Sequence, residues 1–180
     1  MPPEPASFVD RLAEARIGAT FNFYREGTGA ALRRARLSAY LASQRGATVL
    51  LVGEAAGYRG ARVSGVPFTS ERQLTGSGPG EASATIVRRV LRELGLESSV
   101  LCWNLVPTHP HRRGLSDTNR PPTRDEIAAS RGFLDLLVAG RRVIAVGRLA
   151  ERELGTGYVR HPSHGGAAAF RTGLIKALRD

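Results

Sequence analysis

Apolar residues recur along this chain in two rhythms. Short unbroken runs bounded by glycine or polar residues alternate with longer stretches in which apolar positions return every three or four residues. The runs at 48–53, 100–106, 142–146 and 157–160 suit strands buried on both faces of a parallel sheet. The periodic stretches predict helices. Ser7, with Asp10 three residues on, gives a capping-box-like start near the N-terminus. Thr28 is expected to cap a helix that carries Leu32, Ala35, Ala39 and Ala42 on one face and closes at Gly46. Ile86, Val87, Val90, Leu91 and Leu94 mark another, ended by Gly95. Thr123 and Glu126 form a capping box ahead of a stripe of Ile127, Leu134, Leu137 and Val138. Shorter helices are expected at 149–154 and 167–178. A Gly/Ser/Thr-rich segment to about Gly80 and a Pro/His/Arg-rich one to Pro122 read as long loops.

Strands separated by helices imply crossover connections and a parallel sheet. The expected fold is a three-layer α/β/α sandwich with a central four-stranded parallel sheet, and 180 residues suit a single domain, 1–180. Ligands in such sheets bind beyond the carboxyl ends of the strands. Three of those ends are Gly53-Glu54-Ala55-Ala56-Gly57, Asn104-Leu105-Val106-Pro107 and His161-Pro162-Ser163. Their convergence locates a candidate site.

Charge narrows the class of partner. Lys+Arg number 26 against 16 Asp+Glu, a net +10 with a pI near 11.2. Such an excess on one domain is the footprint of a nucleic-acid binder. Arginine supplies nearly all of it, since Lys176 is the only lysine. No apolar run approaches the ~18 residues of a membrane helix. Met1-Pro2-Pro3-Glu4-Pro5 lacks the basic and apolar regions of a secretory signal. A lone Cys102 excludes a disulfide framework and a cysteine-built metal site. A cytoplasmic monomer in a reducing compartment is expected.

Several chemistries find no motif. There is no phosphate loop of the G-x-x-x-x-G-K-[ST] type and no G-x-S-x-G elbow, and Gly27-Thr28-Gly29 does not follow a strand. Cys102 lies inside an apolar run, where a thiol is structural. The four histidines form two groups, His109-Pro110-His111 and His161-Pro162-Ser163-His164. They keep a histidine-metal hydrolase open as an alternative, although helical H-E-x-x-H spacing is absent.

Gly53-Glu54-Ala55-Ala56-Gly57, Gly65-Val66-Pro67-Phe68, Asn104, Asn119-Arg120-Pro121-Pro122-Thr123 and His161-Pro162-Ser163 together resemble the uracil-DNA glycosylase superfamily. The pattern is most similar to that of its bacterial and archaeal iron–sulfur branch, whose first motif begins G-E-A-P-G. The match runs from Thr48 to His164 in order. Two departures stand out. Thr108 and Ser130 occupy positions where that branch has cluster cysteines, and no cysteine pair lies near the N-terminus, so no cluster or other cofactor is expected. Ala56 replaces the motif proline.

The resemblance implies a role for each matched residue. Phe68 would stack on a base drawn out of the helix, and Asn104 would read the uracil edge, giving a donor to O4 and an acceptor to N3–H. His161 would donate to uracil O2 as negative charge develops on the leaving base. Ser163 belongs to the same motif, and backbone N–H groups of Gly53, Ala55 and Gly57 would face the pocket. Glu54 would orient water or offset charge on the sugar, with a structural ion pair as its alternative. Tyr58 would help exclude the thymine methyl, although Gly57, not a tyrosine, stands where another branch places its blocking tyrosine. No leucine follows the His-Pro-Ser motif to fill the gap left by the base, so His164 or Arg171 is expected to substitute. Arg120, with Arg112, Arg113 and Arg160, would contact phosphate.

The leading expectation is a monofunctional hydrolase removing uracil from DNA without metal or cofactor and leaving an abasic site. The alternatives are action on another deaminated base, DNA binding without efficient turnover, and the histidine-metal hydrolase.

Overall fold

The computed structural model describes residues 4–179. Met1–Pro3, part of the stretch read for a secretory signal, and Asp180 lie outside them. In chain order the elements are α1 (Pro5–Glu14), α2 (Ala30–Ser43), β1 (Val49–Ala55), α3 (Ala61–Ser64), α4 (Glu71–Thr75), α5 (Ala82–Glu93), β2 (Val100–Val106), α6 (Arg124–Val138), β3 (Arg142–Val146), α7 (Arg148–Leu154), β4 (Gly157–Val159) and α8 (Ala167–Arg179). The four strands are all parallel, in the order β2-β1-β3-β4.

Alternate strand residues feed two cores, which is why the strands read as unbroken apolar runs. Leu50, Val52, Leu101, Trp103 and Ala145 face α1, α2, α6 and α7 in one core. Val49, Leu51, Val100, Cys102, Ile144 and Val146 face α5 and α8 in the other. This is the expected α/β sandwich. Because β1 connects outward to β2 while β3 lies on its other side, the chain reverses direction at β1/β3. A crevice opens there, at the carboxyl edge.

The α6 capping box forms as read: the Thr123 hydroxyl accepts from the Glu126 N–H (3.2 Å) and the Glu126 carboxylate from the Thr123 N–H (2.9 Å). Other expectations are corrected. Glu4, not Ser7, caps α1, accepting from the Ser7 N–H at 2.8 Å. Pro5 can open the helix because its missing N–H has no partner to lose there. Thr28 does not cap α2; Gly29 precedes it without a side-chain bond. Leu32, Ala35, Ala39 and Ala42 face solvent, and Ala30, Leu37 and Leu41 are buried instead. The arginine flank turns inward because its guanidinium groups find acceptors: Arg33 donates to Phe23 O (3.0 Å), Arg34 to Tyr24 O (2.7 Å), and Arg36 pairs with Glu71 (2.7 Å). The supposed loop before Gly80 contains α3 and α4.

Beyond the β2 edge, Phe21 and His109 form an antiparallel bridge. Hydrogen bonds dock this segment: Thr20 Oγ1 lies 2.6 Å from Thr108 Oγ1, and the Asn22 amide donates to Leu12 O (2.8 Å) and Ala15 O (3.1 Å). Buried Ser130 donates to Glu126 O (2.8 Å). Thr108 and Ser130 thus serve as hydrogen-bonding residues at this edge. No helix among the described residues is long and apolar enough to cross a membrane.

Candidate active site

The strand register builds the floor of the site. Gly53 of β1 pairs directly with Asn104 of β2. A Cβ at Gly53 would strike Cζ of Phe68 and come within 2.9 Å of Asn104 Oδ1, so only glycine lets the ring and the amide close over this strand. The Phe68 ring is buried, and its backbone has φ +49°. A left-handed conformation costs a bulky residue ~1–3 kcal/mol and persists where surrounding contacts enforce it. Here Arg88 enforces it, donating to Pro67 O (3.1 Å), Phe68 O (3.2 Å) and Thr69 Oγ1 (2.7 Å) while lying over the Tyr40 ring.

Above this floor lies a cavity of about 560 Å³, within the ordinary range for small-molecule sites. It gathers Glu54, Ala55 and Gly57 from the end of β1, Asn104 from β2, Val146 from the end of β3, His161, Ser163 and His164 from beyond β4, and Phe68 from the loop after α3. Asn104 is 5% exposed, and its amide has no hydrogen-bond partner among the described residues. A residue this buried whose amide atoms open onto a cavity, unpaired within the protein, is free to take a ligand.

His161 follows β4. Its Nδ1 accepts from the Ser163 backbone N–H (3.2 Å) and lies 2.8 Å from the Ser163 hydroxyl. An accepting Nδ1 places the proton on Nε2. Burial lowers the histidine's pKa, and neighbouring His164 lowers it further. The ring is therefore a neutral imidazole with one N–H free to donate. His164 is exposed and is the other non-glycine residue, among those described, with positive φ (+51°).

Glu54 lines the cavity without a hydrogen bond or ion pair among the described residues. Burial raises its pKa, and the charge of Arg152 partly offsets this. A second carboxylate, missed in the sequence, stands on the same wall. Glu81 precedes α5 but does not cap it. Its oxygens sit where a Cβ of Gly57 or of Gly60 would be. Burial raises its pKa, and no partner relieves it.

Three sequence candidates are placed elsewhere or otherwise engaged. Arg171 lies on α8, 3.7 Å from Glu93, and does not line the cavity. Arg120 borders the cavity, but its guanidinium makes a two-point pair with Glu126 (2.8 and 2.5 Å) and donates to His111 O (2.9 Å). It ties loop to helix, leaving little to offer a phosphate. Tyr58 lies outside the cavity lining, with its N–H given to Asn119 Oδ1 (3.0 Å). Leu115 supplies an apolar tip that sequence reasoning missed. It is 54% exposed on the loop whose ends, Pro110 and Asn119, line the cavity, beside exposed Arg112 and Arg113.

The histidine-metal alternative finds no donor set. No three His, Cys, Asp or Glu side chains converge among the described residues. Both ring nitrogens of His109 face carbonyls, Ala56 O at 2.8 Å and Ser116 O at 3.1 Å.

The chain is therefore an α/β protein with a doubly wound parallel sheet and a polar-floored cavity at its switch point. Its fold is shared with the crystal structure of wild-type SMUG2 from Pedobacter heparinus: the superposition covers 97% of each chain with a TM-score of 0.68 at 14% sequence identity. No family model and no curated protein sequence matches the chain.

Proposed function

We propose that this chain is a DNA glycosylase that hydrolyses the N-glycosidic bond of uracil in DNA, leaving an abasic site. The observation that carries the reading is the unpartnered Asn104 amide, held across Gly53 from the Phe68 ring in a cavity that also receives the free N–H of His161. A ring to stack on, a fixed amide to read an imide edge and a neutral imidazole to meet a developing oxyanion are what uracil excision demands. Base–aromatic stacking would supply ~1–3 kcal/mol toward extrusion. The amide rejects cytosine by leaving buried donors and acceptors unpaired. Glu54 opposes the positive charge growing on the sugar. The fold shared with SMUG2, the net charge of +10 and exposed Arg112, Arg113 and Arg160 support DNA as the partner. The protein acts as a cytoplasmic monomer in base excision repair and needs no cofactor.

A second reading is action on another deaminated base. The cavity's ~560 Å³ has room for a purine as well as a pyrimidine. The test is alkali-induced strand breakage of labelled oligonucleotides carrying one uracil, hypoxanthine or xanthine, with EDTA present, for wild type and Asn104→Ala. Breakage at uracil that the substitution abolishes supports the leading reading. Breakage only at a purine supports the second, and binding without breakage at any base overturns both.

A further inference from the structure

We propose that Glu81 is the general base of the reaction, taking a proton from the water that attacks the sugar; the inference rests on the glycosylase reading and adds a residue outside the matched motifs. Several polar side chains of the cavity are engaged within the protein: Asn119 with Tyr58, Arg120 with Glu126, Arg148 with Glu151 and Ser163 with His161. Asn104, His161 Nε2, Glu54, Glu81 and the Ser83 hydroxyl keep free hydrogen-bonding capacity.

Uracil brings three polar groups besides the bond to be cut: O2, N3–H and O4. His161 answers the first and Asn104 the other two. The base therefore has nothing to offer either carboxylate, and their partners must be the sugar and the water.

Geometry divides the two roles. The Glu81 carboxylate is wedged into the space that the missing side chains of Gly57 and Gly60 leave open, which fixes its orientation. A fixed base needs little reorganisation at the moment of proton transfer. Ser83, also on the cavity wall, brings a hydroxyl with no partner among the described residues, so water beside Glu81 has a second anchor. Glu54 lines the same cavity in the field of Arg152, whose charge partly offsets the effect of burial on its carboxyl. Burial alone acts on Glu81 and raises its affinity for a proton. That suits a base working near neutral pH.

In the step, the water oxygen bonds to C1′ as Glu81 removes one of its protons. The C1′–N1 bond breaks, and its electron pair departs with uracil, whose O2 is held by His161. The uracil anion then takes a proton from solvent, and Glu81 releases its own.

The test is single-turnover excision from a uracil-containing single-stranded oligonucleotide, across pH 4.5–9, for wild type, Glu81→Gln, Glu54→Gln and Glu81→Ala with and without formate. Glu81→Gln should slow excision ~10²–10⁴-fold, the usual contribution of a general base, with oligonucleotide affinity within about threefold of wild type. The acid limb of the wild-type profile, lying above the ordinary carboxylate range, should vanish in Glu81→Gln and persist in Glu54→Gln. Formate, fitting the space between Gly57 and Gly60, should restore part of the rate to Glu81→Ala. A Glu81→Gln rate within about threefold of wild type overturns the proposal while leaving the glycosylase reading intact. So does a loss that formate does not reverse, which would make Glu81 structural. A wild type inert toward uracil overturns the reading itself, and this proposal with it.

Discussion

Arg88 and Phe68 are joined by a hydrogen bond from guanidinium to main-chain carbonyl (3.2 Å), and that bond belongs to a clamp that also takes Pro67 O and Thr69 Oγ1. Without an acidic partner, Arg88 gives its hydrogen-bonding capacity to a three-residue stretch of loop. The same stretch carries the positive-φ backbone that lays the Phe68 ring against Gly53. Helix α5 thereby sets the height of the cavity floor.

Replacing Arg88 by Met should remove this clamp and strand at least two loop carbonyls without donors, each worth ~1–3 kcal/mol when buried. The expected result is a drop in melting temperature with a larger rise in KM than fall in kcat. Lysine, unable to serve all three acceptors at once, should rescue only partly. Thermal melts and steady-state excision kinetics would check both.

Asn104→Ala should behave in the opposite way. Its amide has no intramolecular hydrogen bond to lose, so stability should stay within ~1 kcal/mol of wild type. Excision should fall by at least ~100-fold, the scale on which unreplaced base-reading hydrogen bonds discriminate. Chemical denaturation alongside the oligonucleotide assay measures the pair of effects.

Gly53→Ala places a methyl group between the Phe68 ring and the Asn104 amide. Overpacking of this kind costs ~1–3 kcal/mol, and the ring must rise into the space meant for the base. The variant should fold and bind DNA, while excising a base at least tenfold more slowly. Unchanged excision by Gly53→Ala would mean the ring does not form the floor on which the base rests.

Glu81 should cost the protein stability. A carboxyl whose folded-state pKa lies above its unfolded value favours folding below the unfolded pKa, near 4.5. That contribution disappears as pH rises through the folded-state value, leaving an ionised group desolvated at neutral pH. Glu81→Gln should therefore raise the melting temperature at pH 7–8, and the gain should shrink to nothing below about pH 4, with each unit of pKa displacement corresponding to ~1.4 kcal/mol. A melting series across pH, wild type against variant, reads the sign directly.

Leu115 should matter only where two strands are paired. An apolar side chain at the rim of a flipping site can fill the stack vacated by a base. Leu115→Ala should slow excision from duplex several-fold more than from single-stranded DNA, whereas Arg171→Ala, changing a residue already paired with Glu93, should slow neither. Comparing both substrates for the two variants tests this assignment.

Much of the fold was legible because the signals were local. β2 and β3 begin and end where their apolar runs do, and Thr123 with Glu126 announces α6 through a bond three residues long. The face of α2 was not legible. Its alanines have the right period, but the choice of face was decided by acceptors at Phe23, Tyr24 and Glu71, distant partners for its arginines. The site divides in the same way. Gly53, Glu54, Phe68, Asn104 and His161 lie at strand ends or in compact motifs and meet in one cavity. Arg120 was read as a phosphate contact from its position and Arg171 as a stand-in for the missing wedge, and position does not reveal an acid already in contact. Glu81 escaped because nothing local marks it: its place depends on two glycines more than twenty residues earlier, whose missing side chains make room for it.

The docking of Thr20–Asn22 against Thr108 has a consequence for how this protein comes into being. This edge must be held by contacts between segments 88 residues apart in the chain. Here hydroxyl and amide hydrogen bonds do that work, and the lone thiol, Cys102, is sealed in the core with its pKa raised by burial. Peroxide has little access to a thiol so placed.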